Sequence, residues 1–449
     1  MPIVIAATGD IAMTQKIDRR RLMLVSAAAV ALPSGAEAAP PYRVNAQRLQ
    51  ATLEGLSKFG RPEGGSFADG VSRTAYSDAD VAGRAYVMGL MRDAGLAPRI
   101  DAAGNILGNR AGTGKGLKPI IIGSHIDSVR AGGNFDGDLG SMGALEVLRT
   151  LDDQRIRTRH PIELAIWSNE EGGTVGSTAF AGMLPADALD HVYYGITLRD
   201  GLKKIGGDPD RIATVARAPG SIRGYLELHI EQGGFLARAG IPIGVVDGIV
   251  SIDQYDVEIT GFANHAGTTP MPGRKNALLA AARLIEAVET IVTREPGRQV
   301  GTVGQLSVYP NAPNVIPGRV KLTVELRDLS EAKVAALGKA VQARAQEIAS
   351  ETGTTMIFSG REHILAALAD PGVQADIEAA AKGLGLAFMH LPSGAGHDAQ
   401  LLAKLGPMGM IFVPSIAGIS HSPKELSTWG DCANGANVLL HALLAMDRS

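Results

Sequence analysis

Residues 123–140 read GSHIDSVRAGGNFDGDLG and follow an apolar run, residues 119–122 (PIII). The run predicts a buried strand, and residues 141–151 (SMGALEVLRTL) predict an amphipathic helix after it. Between them, one histidine and three aspartates stand within fourteen residues, separated mostly by glycine. Because open α/β sheets present functional groups where their strands end, this stretch predicts an α/β fold with a ligand-bearing loop.

The flanking segments extend the same alternation over residues 43–230. Helical spacing predicts a helix over 78–95, and residues 99–108 (RIDAAGNILG) predict a hairpin-like pair of strands. Residues 162–168 (IELAIWS) predict a second buried strand. Buried apolar strands that alternate with helices are typical of layered α/β folds, so we expect a mixed, largely parallel sheet covered by helices.

The order of predicted elements changes over residues 247–360, where it is strand, helix, strand, strand, helix, strand. The strands are predicted at 255–261, 302–309, 320–327 and 354–359, and the helices at 276–292 and 330–352. This order is that of a ferredoxin-like split unit. Residues 361–449 return to the earlier alternation. We therefore expect a large domain of residues 41–246 and 361–449, interrupted by a smaller domain of residues 247–360.

The N-terminus has a different character. Arg19-Arg20-Arg21 precedes the apolar run 22–32, and Ala36-Glu37-Ala38 follows as a small-residue cleavage motif. This order predicts an export signal of twin-arginine type in residues 1–40 and a periplasmic mature protein. The alternative is a disordered basic tail, with the protein in the cytoplasm. No later run of 18 apolar residues stands in the sequence, so no membrane contact is expected after signal removal.

Composition excludes several other classes of function. The net charge is −3 and aromatic residues make up only 4%, so neither a basic patch nor a stacking platform for nucleic acid is expected. Cys432 is the single cysteine, which excludes an intramolecular disulfide and a cysteine-based metal site.

Four predicted strand ends carry side chains that are common metal ligands. They are His125 with Asp136, Glu170 with Glu171, His229, and His421. Each lone histidine has a structural role as its ordinary alternative, so only the whole set indicates a site. Nitrogen and carboxylate ligands together suit zinc, manganese or cobalt. Five ligands exceed the needs of one tetrahedral site, and they fit two ions that share a carboxylate.

The adjacent pair Glu170-Glu171 needs its own explanation. Two carboxylates at the end of a core strand repel each other and lose solvation unless a cation is near. In an extended backbone their side chains diverge, so one can bind a metal ion while the other moves protons. The alternative is an exposed acidic loop.

Nine short segments, taken in order, resemble the metal-dependent amidohydrolases and peptidases of the M20 type. Within them, the chain is most similar to the hydantoinase/carbamoylase subgroup. The segments are GVSRTAYS (70–77), GSHIDSVRAGGNFDG (123–137), NEEGG (169–173), LELHIEQG (226–233), ANHAGTTPM (263–271), PNVIPG (313–318), ELRD (325–328), SGAGHDA (393–399) and ISHSPKE (419–425). The resemblance runs from about residue 45 to the end, and it implies a metallopeptidase-like catalytic domain with an inserted ferredoxin-like lid and dimerisation domain.

The resemblance also implies roles for individual residues. It assigns two divalent ions (Zn, Mn or Co), with one ion held by His125 and His229, the other by Glu171 and His421, and Asp136 bridging the two. Glu170 becomes the general acid/base. Asp127, two residues after His125, is similar to the carboxylate that orients such a histidine.

Substrate contacts follow in the same way. His265 resembles the residue that polarises the scissile carbonyl, in this family usually across a homodimer interface. Gln232, Asn314 and Arg327 resemble the groups that hold the substrate, and the turn from Gly394 to Gly396 is expected to line the same pocket. From the residues alone, Arg327 suits a substrate carboxylate, and its alternative is a surface ion pair with Asp328 or Glu325. His397 is expected to be structural or to support a ligand.

The function that the resemblance implies is hydrolysis of a linear amide or ureido C–N bond in a small substrate that bears a carboxylate. An N-carbamoyl-L-amino acid would give an L-amino acid, ammonia and carbon dioxide. Within the subgroup, allantoate amidohydrolase and β-ureidopropionase stay open. Outside it, the chain could be an M20-type aminoacylase or peptidase, or a non-catalytic periplasmic binding protein. A free Glu170 disfavours the binding protein, which needs no base beside its ligands.

Overall fold

The computed structural model describes residues 42–449. The predicted export signal, residues 1–40, lies outside the described residues. Along the described part of the chain the strands are β1 Arg99–Ile100, β2 Ile106–Arg110, β3 Ile120–His125, β4 Ile162–Trp167, β5 Val192–Tyr193, β6 Ile196–Thr197, β7 Gly224–Ile230, β8 Ile243–Ile249, β9 Ser251–Thr260, β10 Val300–Tyr309, β11 Arg319–Asp328, β12 Thr355–Ile364, β13 Ala367–Leu368, β14 Phe388–Ser393 and β15 Met408–Val413. The helices are α1 Ala46–Leu56, α2 Asp78–Asp93, α3 Asp138–Asp153, α4 Val175–Phe180, α5 Leu198–Lys204, α6 Phe235–Ala239, α7 Ala277–Thr293, α8 Glu331–Thr352, α9 Pro371–Gly383, α10 Asp398–Leu402 and α11 Trp429–Arg448.

The large domain is built on one mixed sheet, ordered β1-β2-β4-β3-β7-β15-β8-β13, with β14 also paired to β8. Its four central strands, β4, β3, β7 and β15, are mutually parallel. All of their residues are buried, as expected for parallel strands covered on both faces. The predicted α/β class with a largely parallel core is confirmed.

Helices cover both faces of this sheet. On one face, α1, α3, α9 and α11 pack over a core that includes Ile120, Ile122 and Leu228. On the other face, Ile121, Trp167 and Phe412 belong to a second core. Alternate strand residues therefore point to opposite cores, and each such side chain contributes roughly 1.5–3 kcal/mol by leaving water. Because both faces are filled, the strand ends are left to carry polar groups.

The smaller domain is an antiparallel sheet, ordered β10-β11-β9-β12, with α7 and α8 packed against it. Its chain order is the predicted strand-helix-strand-strand-helix-strand. The predicted boundary at residue 360 falls inside β12, which continues to Ile364. Strand β8 was not predicted from the sequence, because Gly244, Asp247 and Gly248 interrupt the apolar run of its segment IGVVDGI.

Within residues 42–449, no helix combines the length and the apolar character needed to cross a membrane.

Candidate active site

The four central strands are parallel, so their carboxyl ends meet at one edge of the sheet. β3 ends at His125, and the loop after it carries Asp136. Glu170 and Glu171 follow β4, His229 lies near the end of β7, and His421 follows β15. The structure therefore brings together all of the predicted metal ligands.

The first ligand triad consists of His125, Asp136 and His229, all buried, with one ligand atom from each lying within 4.8 Å of the others. Asp136 Oδ1 is 3.6 Å from His125 Nε2 and 3.2 Å from His229 Nε2. The opposite ring nitrogens are occupied, since His125 Nδ1 and His229 Nδ1 face the backbone carbonyls of Asp127 and Ile230 at 2.9 Å. A neutral ring then donates from Nδ1 and presents Nε2 as a lone-pair ligand.

The second ligand triad consists of Asp136, Glu171 and His421, and one ligand atom from each again lies within 4.8 Å of the others. His421 Nε2 is 3.4 Å from both Asp136 Oδ2 and Glu171 Oε2. Oδ1 of Asp136 thus faces the histidines of the first triad, and Oδ2 of Asp136 faces His421 of the second triad. This is the geometry expected of a bridging carboxylate.

Glu170 belongs to neither triad. Its side chain is 10% exposed, and its Oε2 lies 3.7 Å from His125 Nε2. Burial raises the pKa of the Glu170 carboxyl well above its usual value, and the nearby carboxyl groups of Asp398 and Glu171 raise it further, while His125 opposes the shift. A carboxyl group with a raised pKa, beside the ligands but free of them, can accept and return a proton.

Asp127 contacts this site differently from the prediction. His125 Nδ1 contacts the backbone carbonyl of Asp127, whereas the Asp127 carboxylate lies 3.8 Å from that nitrogen, beyond a hydrogen bond. The carboxylate instead accepts the backbone N–H of Glu170 at 3.1 Å and of Glu171 at 3.2 Å. It therefore fixes the turn that separates the two glutamates.

The loop that carries Asp136 approaches His125 closely because of a glycine. Gly137 has a φ of 65°, and a Cβ there would lie 2.3–2.4 Å from atoms of the His125 ring. No side chain fits at that position. Three other site residues adopt the left-handed backbone that non-glycine residues rarely take: Asn169, Gln232 and His421, with φ of 51°, 53° and 52°. Such conformations concentrate at functional sites.

The electrostatics of the second triad fit a cation. Burial and the neighbouring Asp136 raise the pKa of Glu171 to about 7, and Glu171 Oε1 is buried without a hydrogen-bond partner. The hydrogen bond to Asp136 raises the pKa of His421 to about 9. Glu171 and His421 thus hold their protons more tightly than usual, and a divalent ion would take the place of those protons.

A cavity of about 600 Å³ opens above the two triads. Gln232, Arg327 and Gly396 line it together with the ligands. Arg327 Nη1 donates to the carbonyl of Gly394 at 2.6 Å, and its Nε donates to Glu325 at 2.7 Å. Arg327 therefore lines the cavity and also forms the ion pair with Glu325 that was predicted as its alternative role.

Two predicted substrate residues lie elsewhere. His265 and Asn314 are exposed residues of the smaller domain, close to each other, and neither lines the cavity. His265 Nδ1 accepts the backbone N–H groups of Gly267 and Thr268 at 3.0 and 3.2 Å. A neutral His265 ring must therefore carry its proton on Nε2, which makes that atom a hydrogen-bond donor.

Several contacts were not predicted from the sequence. Gln232 Nε2 donates to Asp136 Oδ2 at 2.8 Å, so this residue supports a ligand besides lining the cavity. His397 packs edge-on against His229, with 4.5 Å between ring centroids, and bonds Ser393 through Nε2. Glu425 bonds the backbone of Asp136. Its position four residues after His421, inside ISHSPKE, was the available signal.

Comparison with known proteins places this geometry in a family. The model of peptidase family M20/M25/M40 matches residues 121–445. The chain belongs to this family. The M20 relatives include an N-carbamoyl-L-amino acid amidohydrolase of Geobacillus stearothermophilus, 42% identical over 406 residues, covering 89% of this chain and 98% of the relative. An allantoate deiminase of Arabidopsis thaliana is 33% identical over 391 residues, covering 79% of this chain and 74% of the relative.

Comparison with solved structures agrees with the family assignment. The crystal structure of a hydantoinase/carbamoylase family amidase from Burkholderia multivorans superposes with a TM-score of 0.84 at 37% identity, covering 91% of this chain and all of that one. The predicted family resemblance is confirmed. M20 enzymes are typically metal-dependent, and the two triads, with a third group of Glu227, His229 and His397, are the candidate metal-binding groups in the described residues.

Proposed function

We propose that this M20 protein is a binuclear metal-dependent hydrolase that converts an N-carbamoyl-L-amino acid and water into an L-amino acid, ammonia and carbon dioxide. The observation that carries the proposal is Glu170, a buried carboxyl group left free beside two triads that share Asp136. The identity with N-carbamoyl-L-amino acid amidohydrolases over nearly their whole length supports the choice of substrate.

His125 and His229 would hold one divalent ion and Glu171 and His421 the other, with Asp136 shared. Zinc, manganese and cobalt all suit this nitrogen and carboxylate donor set. Bound there, the ions would supply Lewis acidity toward the attacking water and the ureido carbonyl oxygen.

The protein's own groups perform the remaining steps. Glu170 accepts the proton of the attacking water and returns it to the departing nitrogen, which its raised pKa permits. Arg327 holds the substrate carboxylate through its guanidinium fork, because it lines the cavity from the smaller domain. His265 donates a hydrogen bond from its Nε2–H to the carbonyl oxygen as negative charge develops there.

Apolar residues in the lining of the cavity support an apolar substrate side chain. Met183, Leu365 and Leu401 line it, and Met183 and Leu365 are 48% and 45% exposed in the absence of substrate. Covering such surface contributes about 25 cal/mol per Å². We expect substrates with large apolar side chains, such as N-carbamoyl-L-methionine or N-carbamoyl-L-leucine, to be preferred over N-carbamoylglycine.

The proposal extends to a homodimer, because His265 lies outside the cavity of its own chain. Mixing inactive Glu170→Ala and His265→Ala proteins tests this directly. If His265 acts across the interface, a mixed dimer contains one complete site and recovers activity. Failure to recover activity in verified mixed dimers would assign His265 to its own chain. A periplasmic location is proposed from the pattern in residues 1–40 alone.

The function is tested by incubating metal-loaded protein with N-carbamoyl-L-amino acids, allantoate, β-ureidopropionate, N-acetyl amino acids and dipeptides. Products are identified by mass spectrometry, with Glu170→Ala as the control. Release of ammonia and an L-amino acid from carbamoyl substrates supports the proposal. Turnover of allantoate alone would favour the second candidate, which the allantoate deiminase relative supports. Turnover of acyl acids or dipeptides alone, or binding without turnover, would overturn the proposal.

A further inference from the structure

Glu425 is a buried carboxylate that no step of the proposed reaction uses. It is 4% exposed and ends the segment that contains His421. Its Oε1 accepts the backbone N–H of Phe135 at 2.9 Å and of Asp136 at 3.0 Å, and its Oε2 accepts the Ser420 hydroxyl at 2.8 Å. One side chain therefore joins the loop that carries Asp136 to the segment that carries His421.

Ser420 extends this connection to the shared ligand itself. Its hydroxyl lies 2.9 Å from Asp136 Oδ2, the carboxylate oxygen that also faces His421 Nε2 at 3.4 Å. Asp136 is thus held at its backbone nitrogen by Glu425, and Ser420, whose single hydroxyl proton can be donated to either carboxylate, places its oxygen within hydrogen-bond distance of both. The Asp136 carboxylate cannot rotate away without losing that contact.

Both connected segments have backbone that depends on these contacts. His421 adopts a left-handed conformation, which persists in a non-glycine residue only where its surroundings impose it. On the other side, a Cβ at Gly133 would lie 2.1 Å from Glu425 Oε1, so the loop approaches the carboxylate as closely as glycine allows. The two segments are built around Glu425.

We propose that Glu425 is a positioning residue that fixes Asp136 and His421 relative to each other and thereby raises metal affinity. The inference rests on the proposed function only in that it assumes a divalent ion at the second triad. Loss of an outer partner of a ligand typically costs 10–100-fold in metal affinity, so Glu425→Ala should weaken binding by about that factor.

The test is the affinity of the full chain for Zn²⁺, measured by competition with a chromophoric chelator. Glu425→Gln should retain wild-type affinity, because its amide oxygen can accept the two backbone N–H groups and its amide nitrogen can donate to Ser420. Ser422→Ala is the matched control, since this serine lies in the same segment and its hydroxyl accepts only the backbone N–H of Lys424. Thermal unfolding with and without Zn²⁺ separates positioning from a general effect on stability.

The expected result is weaker Zn²⁺ binding and a smaller Zn²⁺-induced rise in Tm in Glu425→Ala, with rescue in Glu425→Gln. Wild-type affinity in Glu425→Ala would overturn the inference, as would equal loss in both variants, which would assign the effect to charge. If Glu425→Ala does not fold, Ser420→Ala carries the test, and unchanged affinity there overturns the inference. A wild-type chain that binds no Zn²⁺ would instead overturn the proposed function.

Discussion

At the scale of single residues, the adjacent Glu170 and Glu171 differ by what each one faces. Glu171 Oε2 points to His421, whereas Glu170 Oε2 points to His125 and belongs to neither triad. Asp127 holds the backbone of both and so keeps their side chains apart. Residue type and strand position were enough to predict that one glutamate binds metal while the other moves protons, and the family resemblance assigned Glu171 and Glu170 to those roles. The position of Glu425 inside ISHSPKE could have drawn attention to it, but its contact with the backbone of Asp136 depends on the chain folding back after His421.

Glu170→Gln should retain metal and lose turnover by about 10²–10⁴-fold, because the amide keeps the shape of the side chain but cannot move a proton. Metal content by atomic absorption and kcat on the same preparation check this. The control is Glu163→Gln, a glutamate of β4 that pairs with Arg217 away from the triads. Near wild-type kcat in metal-loaded Glu170→Gln would contradict the assigned role.

Arg327→Lys should raise KM for carbamoyl substrates at least about tenfold, since losing one charge-assisted hydrogen bond costs roughly 1.5–3 kcal/mol. Lysine keeps the charge but cannot form the bidentate fork. Initial rates over a range of substrate concentrations give KM and kcat separately. The control is Arg361→Lys, because Arg361 forms an exposed ion pair with Asp256 in the same domain. An unchanged KM would remove Arg327 from substrate binding.

At the scale of elements, the parallel strands β3, β4, β7 and β15 place the ligands, and the glycine loop before α3 completes the site. The buried strands were predictable from their continuous apolar runs, and the long helices from the periodic spacing of their apolar residues. The ends of these elements were less predictable. Helix α3 was predicted to begin at Ser141, but it begins at Asp138, directly after Gly137. A helix that starts within the ligand loop depends on the left-handed Gly137, which periodicity does not reveal.

Gly137→Ala should weaken Zn²⁺ binding and destabilise the fold by about 1–3 kcal/mol, because its Cβ would strike the His125 ring. Gly116→Ala is a matched control: Gly116 also has positive φ, but a Cβ there meets nothing within 4 Å. Chelator competition and denaturant unfolding measure both variants. If Gly137→Ala binds Zn²⁺ as tightly as Gly116→Ala, the close approach of the loop has no role in the site.

At the scale of the whole molecule, the large domain supplies the ligands and Glu170, whereas the smaller domain supplies Arg327 and His265. The order of the smaller domain was predictable from its strand and helix patterns. The position of His265 outside the cavity was not predictable, because it depends on how the two domains pack. The proposed site therefore requires both domains, and its titrating side chains link the stability of the metal-free large domain to pH.

The metal-free protein should lose stability as pH rises. The folded-state pKa values of Glu171 and Glu425 are raised to about 7 and that of His421 to about 9, so the folded chain binds these protons more tightly than the unfolded chain. Their stabilisation is present at low pH and is lost as pH rises through those values. Tm of chelator-treated protein should fall between about pH 5.5 and 8.5. Metal-loaded protein should not show this fall, since metal replaces the protons. A rising Tm in metal-free protein would contradict the charge arrangement.

Anomalous diffraction at the zinc edge, from crystals of Zn²⁺-loaded protein, would decide whether two ions share Asp136. We expect two zinc peaks with the Asp136 carboxylate between them. His125 and His229 should bind one ion and Glu171 and His421 the other, with Glu170 bound to neither. A single zinc ion, or Glu170 as a direct ligand, would contradict the binuclear site with a free base.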